Sequence, residues 1–134
     1  MKEAGQEERS RLLVVDDEES VRKFTAGALA DAGYEVTQAV DGPEALQIAQ
    51  RHGPFELCVV DLIMPMMNGD EVARLLRCAD PDVKVLYFTG YSDQLFKQTT
   101  FLSANEAFLD KPVSIDGLLE AVSLLLFGHI RRRR

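Results

Sequence analysis

Three aspartates and one lysine are the residues whose placement first suggests chemistry. The apolar run Leu12-Leu13-Val14-Val15 ends on Asp16-Asp17, and a second run, Leu57-Cys58-Val59-Val60, ends on Asp61. Lys111 stands ahead of Pro112 at the end of a further apolar stretch. Runs of this kind read as buried strands, which would gather the carboxylates at one edge of a sheet. Like charges held away from water are costly unless a cation neutralises them. Mg2+ suits the task, because it takes oxygen ligands, commonly one or two carboxylates, with water and phosphate oxygens completing an octahedron. Mn2+ is the alternative ion. Asp17 and Asp61 fit as direct ligands, and Asp16 as the residue that positions a metal-bound water. A carboxylate beside such an ion can also attack phosphorus, giving an aspartyl phosphate. Asp61 is the natural nucleophile, since its strand is central and carboxylates and donors flank it on both sides. Lys111 would bring a compact positive charge to the phosphoryl oxygens, and the Thr89 hydroxyl a hydrogen bond to one of them.

These residues need elements that carry them to one place. Five segments read as strands: Arg11–Val15, Tyr34–Ala39, Leu57–Asp61, Lys84–Thr89 and Ala107–Asp110. Four are nearly continuous apolar runs, which suits strands covered on both faces. Helical patterns lie between and after them. Glu18–Ala32 places Val21, Phe24, Ala28 and Leu29 on one stripe and ends at Gly33. A second helix starts at Asp41-Gly42-Pro43-Glu44, with Asp41 as cap and Glu44 reaching back. A third follows Asn68-Gly69 and carries Val72, Leu75 and Leu76, and a fourth spans roughly Ser92–Ser103. The last starts near Ser114 and presents Leu118, Leu119, Val122, Leu125 and Leu126.

Strand alternating with helix five times predicts an α/β fold, a (βα)5 doubly wound five-stranded parallel sheet of order 2-1-3-4-5 with helices on both faces, flavodoxin-like. In such a sheet the ligand site lies beyond the carboxyl ends of the strands, where strand order reverses. Asp16, Asp17, Asp61, Thr89 and Lys111 all fall there.

Bulk properties narrow the classes. At 134 residues the chain makes one ordinary domain, and 46% apolar residues support a real core. No apolar run is long enough for a membrane span, and Met1 to Ser10 carries no signal-peptide segment. A net charge of −7 argues against nucleic-acid binding by the folded body. Cys58 and Cys78 read as reduced thiols of a cytoplasmic protein. The expected domain covers residues 9–127, with residues 1–8 as a mobile lead and residues 128–134 as a tail; the bland reading of Arg131–Arg134 is a disordered end.

The motifs together resemble a family. Val15-Asp16-Asp17-Glu18, then Asp61-Leu62-Ile63-Met64-Pro65-Met66-Met67-Asn68-Gly69, then Thr89-Gly90, then Lys111-Pro112, resemble the response-regulator receiver domains of two-component signalling, the chemotaxis-regulator type. The resemblance runs from about Arg9 to Phe127. It implies that Asp61 accepts a phosphoryl group from a histidine kinase, a phosphotransfer protein or a small donor such as acetyl phosphate. It implies Mg2+ held by Asp16, Asp17, Asp61 and the main-chain carbonyl of Ile63. It also implies Thr89 as the switch threonine and Lys111 as the phosphate-contacting lysine. The output face would be the fourth helix, fifth strand and last helix, and homodimerisation through it is one use; of Leu95, Phe96 and Phe101 on the fourth helix, at least two read as core packing and the rest as partner surface. The downstream partner is unknown.

Departures matter as well. Family members often carry tyrosine three residues before the lysine, where this chain has Phe108, a ring able to rotate but without a hydroxyl. Ile63 and Tyr91 flank the expected approach of hydrolytic water, and an apolar side chain and a bulky ring predict a persistent aspartyl phosphate. Met64, Met66 and Met67 read as adaptable packing around a turn.

Other classes fit less well. A phosphohydrolase with an aspartyl-phosphate intermediate generally needs an acid/base two residues after the nucleophile, and Ile63 cannot transfer protons. A flavodoxin-like cofactor binder would need a phosphate loop where Asp16-Asp17-Glu18-Glu19 stands. A phosphorylation-independent interaction module leaves the acidic site without a purpose. The expectation is a switch, not an enzyme beyond promoting its own phosphorylation and dephosphorylation. It is either a stand-alone regulator or a module of a hybrid kinase or longer regulator.

Overall fold

The computed structural model describes residues 9–90 and 105–128. Nine elements lie in these segments: β1 (Arg11–Val15), α1 (Glu19–Asp31), β2 (Glu35–Ala39), α2 (Gly42–His52), β3 (Leu57–Asp61), α3 (Gly69–Ala79), β4 (Lys84–Thr89), β5 (Glu106–Asp110) and α4 (Ile115–Phe127). The strands form one sheet of order β2-β1-β3-β4-β5, with every pair parallel. The order is the expected one, and strand limits differ from the sequence reading by at most one residue. The helix expected over Ser92–Ser103, with Leu95, Phe96 and Phe101, lies outside the described residues. So do Tyr91, Met1–Glu8 and the terminal arginines.

The apolar runs work as strands because alternate side chains enter two separate cores. Leu13, Val15, Cys58, Val60, Val85 and Tyr87 pack on one face against Ala45 of α2 and Val72 and Leu76 of α3. Leu12, Val14, Leu57, Val59, Leu86 and Phe88 pack on the other against Leu29 of α1 and Leu118 and Val122 of α4. Both faces are covered, so polar alternation would have been destabilising. β1, β3 and β4 are accordingly buried along nearly their whole length.

Local sequence sets the helix ends. The Asp41 carboxylate accepts the Glu44 N–H at 2.8 Å, and Glu44 Oε1 accepts the Val40 N–H at 2.7 Å. Ser114 caps α4 by accepting the Gly117 N–H at 3.0 Å. Gly33 follows α1 at φ +103°, and Gly128 ends α4 at φ +78°, both conformations that L side chains rarely adopt.

Two details correct the sequence reading. Phe24 does not face the core and is 43% exposed, while Thr25 and Ala26 are buried with Leu29. The buried arc of α1 is centred toward Leu29, and Phe24 falls past its edge. Of the methionines, Met64 is buried and Met67 packs on the core, but Met66 sits at φ +72° and points to solvent, 76% exposed.

Charge also ties layers together. Arg77 of α3 bonds Glu106 of β5 at 2.5 Å, and the Tyr87 hydroxyl donates to the same carboxylate oxygen at 3.3 Å. Burial pushes the Tyr87 phenol up to about 12, which keeps it a donor at any physiological pH. The Glu106 side chain is only 14% exposed, so losing its partner would strand a carboxylate. Arg77→Ala should cost about 2 kcal/mol in chemical denaturation. A change within experimental error would show that the pair is worth nothing.

Candidate functional site

The strand ends build the site in layers. At the end of β1, the Asp16 N–H donates to the Ala39 carbonyl at 3.2 Å, prolonging the β1–β2 ladder by one residue. The Asp16 carboxylate is buried at 2% exposure, and its Oδ1 accepts the Glu18 N–H at 2.9 Å, an aspartate turn that leads into α1. Arg22 fixes this turn by donating to the Asp16 carbonyl at 3.0 Å and to the Gln38 side chain at 3.2 Å. Asp17, next along, is exposed.

Asp61 is the last residue of β3 and is 6% exposed. The Leu62 N–H donates to Phe88 O at 2.9 Å, and Gly69 N–H donates to Leu62 O at 2.7 Å, folding the following loop back onto the strand. Gly69 is required by close approach: a Cβ there would overlap the Asp61 carbonyl oxygen and press on Leu62. Ile63 lies in this loop, with its side chain 54% exposed.

Lys111 follows β5. Its N–H donates to the Thr89 carbonyl at 2.8 Å, which directs the side chain back over the sheet edge. Its Nζ lies 3.1 Å from Asp61 Oδ1, 3.4 Å from Glu18 Oε1 and 4.0 Å from Asp16 Oδ2. Asp16, Asp17 and Asp61 each offer a carboxylate oxygen, and the three oxygens lie within 4.8 Å of one another. Oxygens opposite each other on one Mg2+ stand about 4.2 Å apart, so this cluster fits one ion held directly or across a water. Asp16 Oδ2 is buried with no hydrogen-bond partner among the described residues, an acceptor such an ion would satisfy.

Electrostatics carry the mark of this crowding. Burial, aided by Asp16 and Asp17 and opposed by Lys111, pushes the Asp61 carboxyl up to about 6. Burial also raises Asp16, against the pull of the Glu18 N–H and Lys111. Burial lowers Lys111, but Asp61 and Asp16 outweigh it and the net shift is upward, so the ammonium stays charged.

Thr89 is fully buried, and its hydroxyl donates to Asp110 Oδ1 at 2.7 Å. Phe108, on the same face of β5, meets the Tyr87 ring with centroids 4.9 Å apart. The fold thus brings Asp16, Asp17, Asp61 and Lys111 together, and sets Thr89 one strand away from Asp61, bonded to Asp110. Sequence reading missed Glu18 as a second partner of Lys111, Arg22 as the brace of the acidic turn, and Asp110 as the acceptor for Thr89. Only Asp110 had a usable signal, since it precedes Lys111 and shares a strand face with Phe108.

Comparison with known proteins identifies the family. The model of the response regulator receiver domain family matches residues 12–123. The response regulator receiver protein CpdR of Brucella abortus is 32% identical over 118 residues, covering 88% of this chain and 98% of that protein. The sensor kinase CckA of the same organism is 36% identical over 116 residues, covering 86% of this chain but only 12% of the kinase. The crystal structure of a receiver domain from the hybrid histidine kinase CckA superposes with a TM-score of 0.74 at 33% identity, covering 87% of this chain and 99% of that one.

Folded Asp61 holds its proton to about pH 6, against an ordinary 3.8, so the folded state binds more protons than the unfolded between those values. Stability without divalent metal should therefore fall as pH rises through that window, by up to about 3 kcal/mol, and stay low above it. In a chelator at pH 7.5, Asp61→Asn should be more stable than the parent by about 1–3 kcal/mol, with no such gain at pH 4. Equal stability at both pH values would contradict the raised carboxyl. Gly69→Ala should lower the denaturation midpoint, at a cost of about 1–3 kcal/mol, because backbone must move to admit the methyl. An unchanged midpoint would mean that the Asp61 carbonyl does not confine this position.

Proposed function

The chain belongs to the response-regulator receiver family of two-component systems, and from that membership we propose that it is a phosphoacceptor switch with Asp61 as the acceptor. The observation that carries the assignment is the Lys111 ammonium 3.1 Å from Asp61 Oδ1, beside two further carboxylates. An Asp61 oxygen attacks the phosphorus of the donor. The donor's bond to phosphorus breaks, and its electron pair leaves with the histidine nitrogen or the acetate oxygen. Lys111 shifts from pairing with a carboxylate to pairing with the incoming phosphoryl oxygens. Asp16, Asp17, Asp61 and the Ile63 carbonyl would hold Mg2+, or Mn2+ in its place, which when bound neutralises charge on the phosphoryl oxygens.

Thr89 and Phe108 are the switch residues in this reading. Phosphorylation draws the Thr89 hydroxyl toward Asp61, and the face containing β5 and α4 changes population. Leu124 is 50% exposed there and Ile115 42%, apolar area available to a downstream protein or a second copy. The donor is a histidine kinase or a phosphotransfer protein. Phe24, Val21, Pro112 and Val113 form a partly apolar surface next to Lys111 on which such a donor would rest. The functional unit is residues 9–127. Among the described residues no helix is long and apolar enough to cross a membrane, and Cys58 and Cys78 are free thiols, in keeping with a cytoplasmic setting. A unit of this kind makes up 98% of CpdR and 12% of CckA, a near-complete regulator in one and one module of a kinase in the other. A hydrolase acting on external substrates is disfavoured by Ile63, which offers no proton where such enzymes place their acid/base.

Incubation with acetyl phosphate and Mg2+ should add one phosphoryl group to the intact mass, mapped to Asp61, and Asp61→Asn should gain none. Phosphorylation mapped elsewhere would overturn the assignment. The label should persist for minutes or longer, since Ile63 offers no polar group to orient attacking water. Loss within seconds would show that Ile63 leaves the path open.

A further inference from the structure

Thr89 has one hydroxyl proton, and in this structure that proton is already spent. It goes to Asp110 Oδ1 at 2.7 Å, a short bond to a carboxylate. The register explains the pairing. Thr89 and Asp110 are Cα partners at the ends of β4 and β5, directly beyond the Tyr87–Phe108 partners on the same face. Thr89 is fully buried, so water cannot substitute freely as acceptor, whereas Asp110 reaches the surface. A hydroxyl donates one hydrogen bond at a time, so donation to Asp110 and donation to a phosphoryl oxygen are mutually exclusive.

We propose that Asp110 is a positioning residue that latches Thr89 in the resting arrangement and so sets how strongly the phosphorylated state must compete. The proposal rests on the phosphoacceptor reading of Asp61. Hydrogen bonds to ionised acceptors are stronger than those between neutral groups, which makes Asp110 a better latch than a backbone carbonyl would be. Asp110 lies at the surface, so its carboxylate keeps access to water when Thr89 turns away. Releasing Thr89 without a new acceptor would instead leave a buried donor unpaired. The latch therefore opens toward an anion on Asp61 and closes without one.

Beryllofluoride with Mg2+ reads the balance without chemistry, as a mimic of the phosphoryl group on Asp61. The full chain should be titrated as parent, Asp110→Ala, Asp110→Asn, Thr89→Val and the Thr89→Val/Asp110→Ala double variant, with apparent affinity followed by chemical shifts. Asp110→Ala should bind about ten-fold tighter than the parent, because the resting state loses its acceptor. Asp110→Asn, which keeps an acceptor oxygen but loses the charge, should fall between them. In the Thr89→Val background the Asp110→Ala gain should shrink to the small effect of removing one nearby negative charge. A gain of equal size with and without Thr89 would overturn the latch and leave simple charge repulsion. Unchanged or weaker binding by Asp110→Ala would overturn it as well, since a purely structural role lowers stability without tightening the anion. Failure of the parent to bind beryllofluoride at all would instead remove the phosphoacceptor reading, and the latch with it.

Discussion

Among the described residues, Asp16, Asp17 and Asp61 share one sheet edge with one ammonium, that of Lys111, which Glu18 also approaches. Asp16, Asp17 and Asp61 against Lys111 leave a deficit of positive charge, partly shielded from water. Burial, with Asp16 and Asp17 close by, raises the Asp61 carboxyl to about 6. A divalent ion would restore the charge more effectively than a proton, and in the proposed phosphoacceptor it would leave Asp61 ionised for attack. The parallel sheet makes this possible because β1, β3, β4 and β5 are neighbours and all end on the same side.

The backbone around the acids is as constrained as the acids themselves. Arg22 braces the Asp16 turn, and Gly69 lets the start of α3 lie directly on the Asp61 carbonyl. From there one side of the sheet carries a continuous column of contacts: Thr89 with Asp110, Tyr87 with Phe108, and Glu106 with Arg77 and the Tyr87 hydroxyl. A change in the partner of Thr89 is thus adjacent to an aromatic pair and, beyond it, to an ion pair that joins β5 to α3.

Much of this was legible before any coordinates. Unbroken apolar runs over Leu12–Val15 and Leu57–Val60, short and each closed by an acid, read as strands covered on both sides, and their ends named the acids. The Asp41 cap and the Gly33 stop were equally plain. What escaped was set by tertiary geometry. Phe24 fits the helical stripe by spacing, yet α1 is rotated so that Thr25 takes the buried place. Met66 carries no local sign of its positive φ. Glu18 reaches Lys111 across 93 residues of chain, and the Thr89–Asp110 bond depends on strand register, which a single sequence states only indirectly.

The central claim is that the convergent carboxylates are built to hold a divalent cation beside an ionised Asp61. Carbon-detected NMR of the Asp61 carboxyl, titrated against pH with and without saturating Mg2+, tests it directly. The account predicts a midpoint near 6 in chelator that moves below the ordinary carboxylate value of 3.8 when Mg2+ is added. A midpoint indifferent to Mg2+ would contradict it.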